Sequence, residues 1–258
     1  MRSLVFGIVL ITTSAGLSFG QAPVKSALGE RTFGTTVVLS AGLRGTVYAI
    51  PEDTTVLPDF EHGPVQRLGE IWTNTLNVSP RRWRVGFPGL TDRYEWFAID
   101  YEGRFWIDRP GRYTFALISD DGSRLYLDDT PVIDNDCQHP PDLRVSAVKL
   151  EGGGHRIRVA YFQGPRDCLA LVLAVAGPDH EWRIFSTEDF KAPSNPENWN
   201  YPSANTIAIV PTLPREASLT VSSLFHQLAN TDPNEKFALN PNASGGCRFA
   251  EPVRSCSK

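Results

Sequence analysis

The 258-residue chain carries a formal net charge of −4, 41% apolar residues, 21 glycines and 20 prolines. That apolar share supports a folded core, while the glycine and proline content favours many short elements over long helices. A mildly acidic chain lacks the clustered Lys and Arg from which nucleic-acid binders draw their affinity, so nucleic acid is not an expected partner.

Met1–Gly20 has a lone Arg2, an apolar run from Leu4 to Leu10 and small residues ending in Ser18-Phe19-Gly20. This is the pattern of a secretory signal peptide cleaved after Gly20. The run is too short to span a bilayer well, and no later segment is long enough to cross one. The mature chain is expected to be secreted, periplasmic or at the cell surface. Losing Arg2 takes its charge from −4 to −5.

Residues 21–41 are small and polar around Thr35–Leu39 and read as a leader or an added edge strand. From Gly42 the pattern is β. Gly45–Ile50 is a strand ended by Pro51, and Asp53–Pro64 is a loop. Ile71–Trp83 has no single period and is left unassigned. Tyr94–Ile107 alternates bulky and polar groups and reads as two strand pieces broken near Gly103.

Gly111–Ile118 is an alternating strand that delivers Asp120-Asp121-Gly122 to its end. Arg124–Leu127 and Val132–Ile133 form a hairpin through the turn residues Asp129-Thr130-Pro131. These three strands are expected to place the acidic pair at one rim of a sheet. Arg144–Leu150 and His155–Phe162 are further strands around a Glu151–Gly154 turn, and Leu169–Val175 is a continuous apolar strand buried on both faces. Phe185–Phe190 closes the domain. Residues 191–258 are expected to be a linker and an irregular C-terminal extension, with a short helical face at Leu219, Leu224, Phe225 and Leu228. Strands at this spacing, joined by turn residues, indicate an all-β antiparallel sandwich over residues 42–190.

The run Gly111–Asn135, GRYTFALISDDGSRLYLDDTPVIDN, closely resembles the core of the PA14 domain family. The resemblance extends through Gly42–Tyr48 and Phe97–Ile107 upstream and through His155–Leu173 downstream. It implies a β-sandwich module of the kind found in bacterial toxins, glycosidases and yeast flocculin-type adhesins.

Calcium takes about six to eight oxygen ligands, and adjacent residues of an extended chain point to opposite faces. In the flocculin-type members a cis peptide between paired aspartates brings both carboxylates to one calcium ion, which in turn holds sugar hydroxyls. By resemblance Asp120 and Asp121 take that role. Gln163 stands where those lectins carry an asparagine ligand, and Arg166, Asp167 and His139 are rim candidates for selecting a glycan. The competing reading makes Asp120-Asp121-Gly122 a plain turn, for which Asp and Gly are favoured residues. Asp134 reads as an Asx-turn, and the short basic group Arg81-Arg82-Trp83-Arg84 as a solvated edge, with a phosphate or acidic-glycan site as the alternative.

Four cysteines in an exported chain read as disulfides, and the residues alone leave three pairings open. The resemblance places Cys137 and Cys168 in loops near the rim and favours Cys137–Cys168 with Cys247–Cys256. His62, His155, His180 and His226 have no metal-ligand spacing. Neither G-x-S-x-G nor H-E-x-x-H is present, and Asp120 with Asp134 makes a weak glycosidase pair. The expectation is therefore a secreted, non-catalytic carbohydrate-binding or adhesion module, calcium-dependent through the Asp120–Asp121 rim. The alternative is a structural domain of the cell envelope that contacts a surface protein.

Overall fold

The computed structural model describes residues 42–192 and 207–210. The expected signal peptide, the 21–41 leader, the Leu219–Leu228 helix, Cys247 and Cys256 lie outside the described residues. Among the described residues twelve strands form: β1 (Leu43–Ala49), β2 (Gln66–Thr73), β3 (Asn77–Arg82), β4 (Phe97–Ile107), β5 (Gly111–Asp120), β6 (Ser123–Leu127), β7 (Thr130–Asn135), β8 (Asp142–Leu150), β9 (Gly153–Gln163), β10 (Cys168–Ala176), β11 (Trp182–Ile184) and β12 (Ala208–Val210). A 3-10 turn, Trp83–Val85, follows β3.

They pair antiparallel into two sheets. The first runs β2-β1-β4-β9-β6-β7, and the second runs β11-β10-β5-β8-β12, with β3 also on β10. The core lies between them and is built by alternation. Phe97, Ile99, Tyr101, Phe105 and Ile107 of β4 are all buried and face the core, while Glu102 points away. Every residue of β10 is buried. Leu169, Leu171, Leu173 and Val175 join the main core, whereas Ala170, Val172 and Ala174 form a second cluster with Ala116 and Ile118. The apolar run of β10 thus reflects a strand covered on both faces.

Three expectations are corrected. β4 is one strand, not two. Gly103 stays in register opposite Ile157, and a Cβ there would sit 2.6 Å from Leu43 Cδ2. The glycine marks a close approach of Leu43 rather than a break. Gly153 and Gly154 belong to β9, opposite Ile107 and Trp106, so the turn before it is shorter than expected. The C-terminal extension also contributes β12, which pairs with β8 through Ile209 opposite Val148.

A fourth correction bears on the site. β5 lies in the second sheet, whereas β6 and β7 lie in the first. Asp121-Gly122 is therefore a crossover between sheets rather than the rim of one. The β7–β8 loop and the β9–β10 loop make the same passage at the same end of the sandwich, as does the segment from β3 to β4. At the far end, Asp128 and Asp129, both with positive φ, form the two-residue hairpin turn between β6 and β7.

Candidate functional site

The site is the junction of those crossovers, and Asp121 ties three of them together. Its Oδ1 accepts a hydrogen bond from the His139 amide in the β7–β8 loop at 3.1 Å. Its Oδ2 accepts one from the Gly164 amide in the β9–β10 loop at 2.7 Å. The peptide bond between Asp120 and Asp121 is cis. Gly122 follows where no side chain fits: a Cβ would lie 2.4 Å from Phe162 Cε1 and 2.8 Å from the Cys137 amide nitrogen.

Asp120 and Asp121 are 4% and 6% exposed. Burial chiefly pushes the Asp120 carboxyl up to about 9, and the charges of Asp121 and Asp167 add to it. Burial also lifts Asp121, but the Gly164 and His139 amides hold it back at about 6. The difference follows from partners. Among the described residues the Asp120 carboxylate accepts no hydrogen bond, whereas both Asp121 oxygens do. A desolvated carboxylate without a donor is costly when ionised, so it takes either a proton or a cation.

The surroundings are a buried polar frame. Ser123 Oγ donates to Ser119 Oγ at 2.7 Å, and Asn135 Nδ2 donates to the same oxygen at 2.9 Å, linking the two sheets beneath the crossover. The Tyr161 hydroxyl lies 2.7 Å from both the Asp120 carbonyl and Gln163 Oε1. Burial, with the two aspartates nearby, keeps this phenol well above its ordinary value, so it acts as a donor. It has one proton for two acceptors.

The sequence-identified residues distribute as follows. Asp120 and Gln163 are linked through the Tyr161 hydroxyl, which meets the Asp120 carbonyl and Gln163 Oε1. Gln163 is fully buried, and its Nε2 donates to the Cys168 carbonyl at 2.9 Å, which fixes its Oε1 towards Tyr161. Asp167 is exposed but close enough to raise both aspartates. Arg166 pairs with Glu95 at 2.6 Å and lies over the Trp83 ring. His139 contributes its backbone amide; its ring nitrogens face the Pro140 and Asn135 carbonyls at 2.8 and 3.0 Å. Asp134 forms the expected Asx-turn to the Asp136 amide and pairs with Arg124. Neither Cys137 nor Cys168 is a free thiol.

The residues missed from the sequence are backbone donors, Gly164 and His139, together with the Tyr161 hydroxyl. Amides carry no residue-type signal. Tyr161 was legible only as one bulky member of an alternating strand.

Among the described residues no group of three or more His, Cys, Asp or Glu side chains is placed to hold a metal. An ion here would need oxygens beyond the two carboxylates. Two clefts, of about 390 and 340 Å³, lie away from this pair. The first is lined by Arg44, Glu102, Arg156 and Arg158, the second by Phe60, Tyr126, Arg124 and Arg158. No helix among the described residues is long and apolar enough to cross a membrane.

A family model described as "PA14 domain" matches residues 66–188. No curated protein matches the chain. Among solved structures, the chain is similar to the PA14 domain of the MpAFP antifreeze protein at 16% identity and TM-score 0.48, with 61% of this chain and 94% of that one covered. It is similar to an anti-sigma factor domain-containing protein from Clostridium clariflavum at 22% identity and TM-score 0.46, covering 60% of this chain and 48% of that one. A PA14 sugar-binding domain from an RTX adhesin matches at 16% identity and TM-score 0.45, covering 57% and 96%. The chain thus spans about half the length of the anti-sigma factor relatives. β1 lies inside the first sheet, between β2 and β4, so the fold begins before the matched segment, and it is residues 66–188 that match the PA14 domain family.

Proposed function

We propose that this chain is an exported, non-catalytic carbohydrate-binding module that holds a calcium ion at the crossover junction and binds glycan hydroxyls through it. The observation that carries the reading is the Asp120 carboxylate, 4% exposed and without a hydrogen-bond donor among the described residues. A hard cation is a partner that would let both carboxylates ionise.

Asp120 and Asp121 would hold the ion. Gln163 Oε1, which accepts from Tyr161 through one lone pair, would add a neutral oxygen, and loop carbonyls and sugar hydroxyls would supply the remainder. When bound, calcium supplies a positive charge and open coordination positions for vicinal hydroxyls. The chain's own residues supply the rigidity: Asp121 is held by two amides, and Gln163 closes the β9–β10 loop on the Cys168 carbonyl. Asp134 is committed to Arg124 rather than free to serve Asp120 as a hydrolytic partner.

The reading in which the acidic pair is only architectural is favoured by the two amide bonds to Asp121. It leaves Asp120 to be neutralised by a bound proton alone. Calorimetric titration of chelator-stripped protein with calcium tests the proposal. Micromolar-to-millimolar binding is expected, lost in Asp120→Ala/Asp121→Ala, with calcium-dependent retention on a glycan array. A folded protein that takes up no calcium overturns it and turns the search towards surface-protein partners.

A further inference from the structure

Arginines are used in two ways in this fold. On the outer face of the first sheet they are neutralised: Arg124 pairs with Asp134 and Asp136, Arg156 with Asp129, and Arg158 with Asp100. At the site end the pattern changes. Arg82 and Arg84, both exposed, flank Trp83, and neither makes an ion pair among the described residues.

The Trp83 turn is fixed to the candidate site by one loop. The Gly164 amide bonds Asp121 at one end of that loop, and the Asp167 carbonyl accepts from the Trp83 amide at 3.0 Å at the other. Arg82 lies opposite Cys168, where β10 begins. The Trp83 ring then organises cations. Arg84 Cζ lies 5.5 Å and Arg166 Cζ 4.9 Å from its centroid, and Tyr94 packs edge-on at 5.9 Å. Stacking on an indole holds a guanidinium in place and leaves its N–H edge for an acceptor. Val85 and Tyr94, 51% and 39% exposed, add apolar surface beside it.

We propose that the Trp83 turn is a second subsite beside the Asp120–Asp121 junction, and that it takes an acidic sugar, a uronate, of the same glycan. The inference rests on the reading above that the junction binds glycan through calcium. Arg82 and Arg84 supply charge-assisted donors to the sugar carboxylate, and the apolar edge takes the pyranose face. Asp121 and Asp167 would repel an acidic glycan from a metal-free junction, so preference for the acid depends on calcium. An overall acidic chain with a patch this small suits a short anionic saccharide rather than a nucleic-acid backbone.

The test measures trigalacturonic acid and its methyl ester, which keeps the skeleton and loses the charge, against the full exported chain with calcium. Competition with a short DNA duplex is measured in parallel. The acid is expected to bind about tenfold more tightly than the ester, and the gap to narrow as salt rises. In Arg82→Gln/Arg84→Gln, whose thermal midpoint reports folding, the acid falls to the ester's affinity. Asp120→Asn loses both ligands.

Equal affinity for acid and ester in the wild type, or binding of neither while calcium still binds, overturns the subsite and leaves the metal reading standing. A preference that survives in the double arginine variant also overturns it, as does equal displacement by DNA. If Asp120→Asn loses calcium but keeps the acid preference, the arginine subsite stands, while its calcium dependence and the metal-dependent glycan reading fall.

Discussion

Asp120 and Asp121 are neighbours of nearly equal burial, yet their surroundings predict opposite responses to the same substitution. Asp121 receives an amide proton on each oxygen. Asp121→Asn turns an NH₂ towards one of those amides and is expected to cost about 1–3 kcal/mol, read by denaturant unfolding. Asp120 has no donor to lose among the described residues, so Asp120→Asn is expected to raise the thermal midpoint of calcium-free protein by about 2–5 °C at pH 8, while abolishing calcium binding. The pH dependence has the same origin. A carboxyl held at about 9 in the fold and near about 3.9 when unfolded keeps a proton that the unfolded chain has released between those values. Stability of the calcium-free protein therefore falls as pH rises from about 4 towards 9. Asp121, at about 6, contributes only to the lower part of that window. Midpoints measured against pH in chelator should decline over this range in the wild type and stay flatter in Asp120→Asn. A wild-type profile without a decline would show that Asp120 is ionised and satisfied by another route.

At the scale of the element, strand sequences disclosed which side chains face inward but not which sheet a strand joins. The alternation in Gly111–Ile118 and Arg124–Leu127 located both strands, and the unbroken apolar run in β10 correctly indicated burial on two faces. Alternation reports facing alone, and the side chain on each inner face is apolar in either sheet. The β5–β6 crossover was therefore invisible, and with it the reason for Gly122. The same blindness made Gly103 look like a break. Both glycines are close approaches of different hardness. A Cβ at Gly103 meets the end of a Leu43 side chain, whereas one at Gly122 meets a Phe162 ring and a backbone nitrogen. Gly103→Ala is expected to cost about 1–3 kcal/mol. Gly122→Ala should cost more and also weaken calcium binding, because the obstructing backbone belongs to the loop that donates the His139 amide. Urea unfolding of the two variants beside calcium titration checks the order. Equal costs with intact calcium binding in both would show that the crossover yields without moving the carboxylates.

Across the whole molecule, the two ends of the sandwich are built for different work. One end gathers the β5–β6, β7–β8 and β9–β10 crossovers, the buried acidic pair and, among the described residues, the arginines without an ion pair. The other carries the Asp128–Asp129 turn, where Asp128 Oδ1 accepts from the Arg156 amide at 2.7 Å and Oδ2 lies 2.7 Å from His155 Nδ1. His155 is fully buried, its Nε2 facing the Glu151 carbonyl at 3.0 Å and its ring stacked on Phe105. This buried pair closes the end of the first sheet and has no route to the candidate site except through the intervening strands. Asp128→Ala leaves a buried imidazole and an amide without their acceptor, and it puts alanine at a positive φ. The expected cost is about 3 kcal/mol or more, with calcium affinity at the opposite end retained. Calcium at 100 times its dissociation constant stabilises by about 2.7 kcal/mol, so it should recover much of the lost stability in Asp128→Ala but none in Asp121→Asn, where the loss lies in the site itself. Thermal midpoints of the two variants with and without calcium separate these cases. A calcium response lost in both would mean that the ends are coupled through the sheets and that the junction is not a self-contained site.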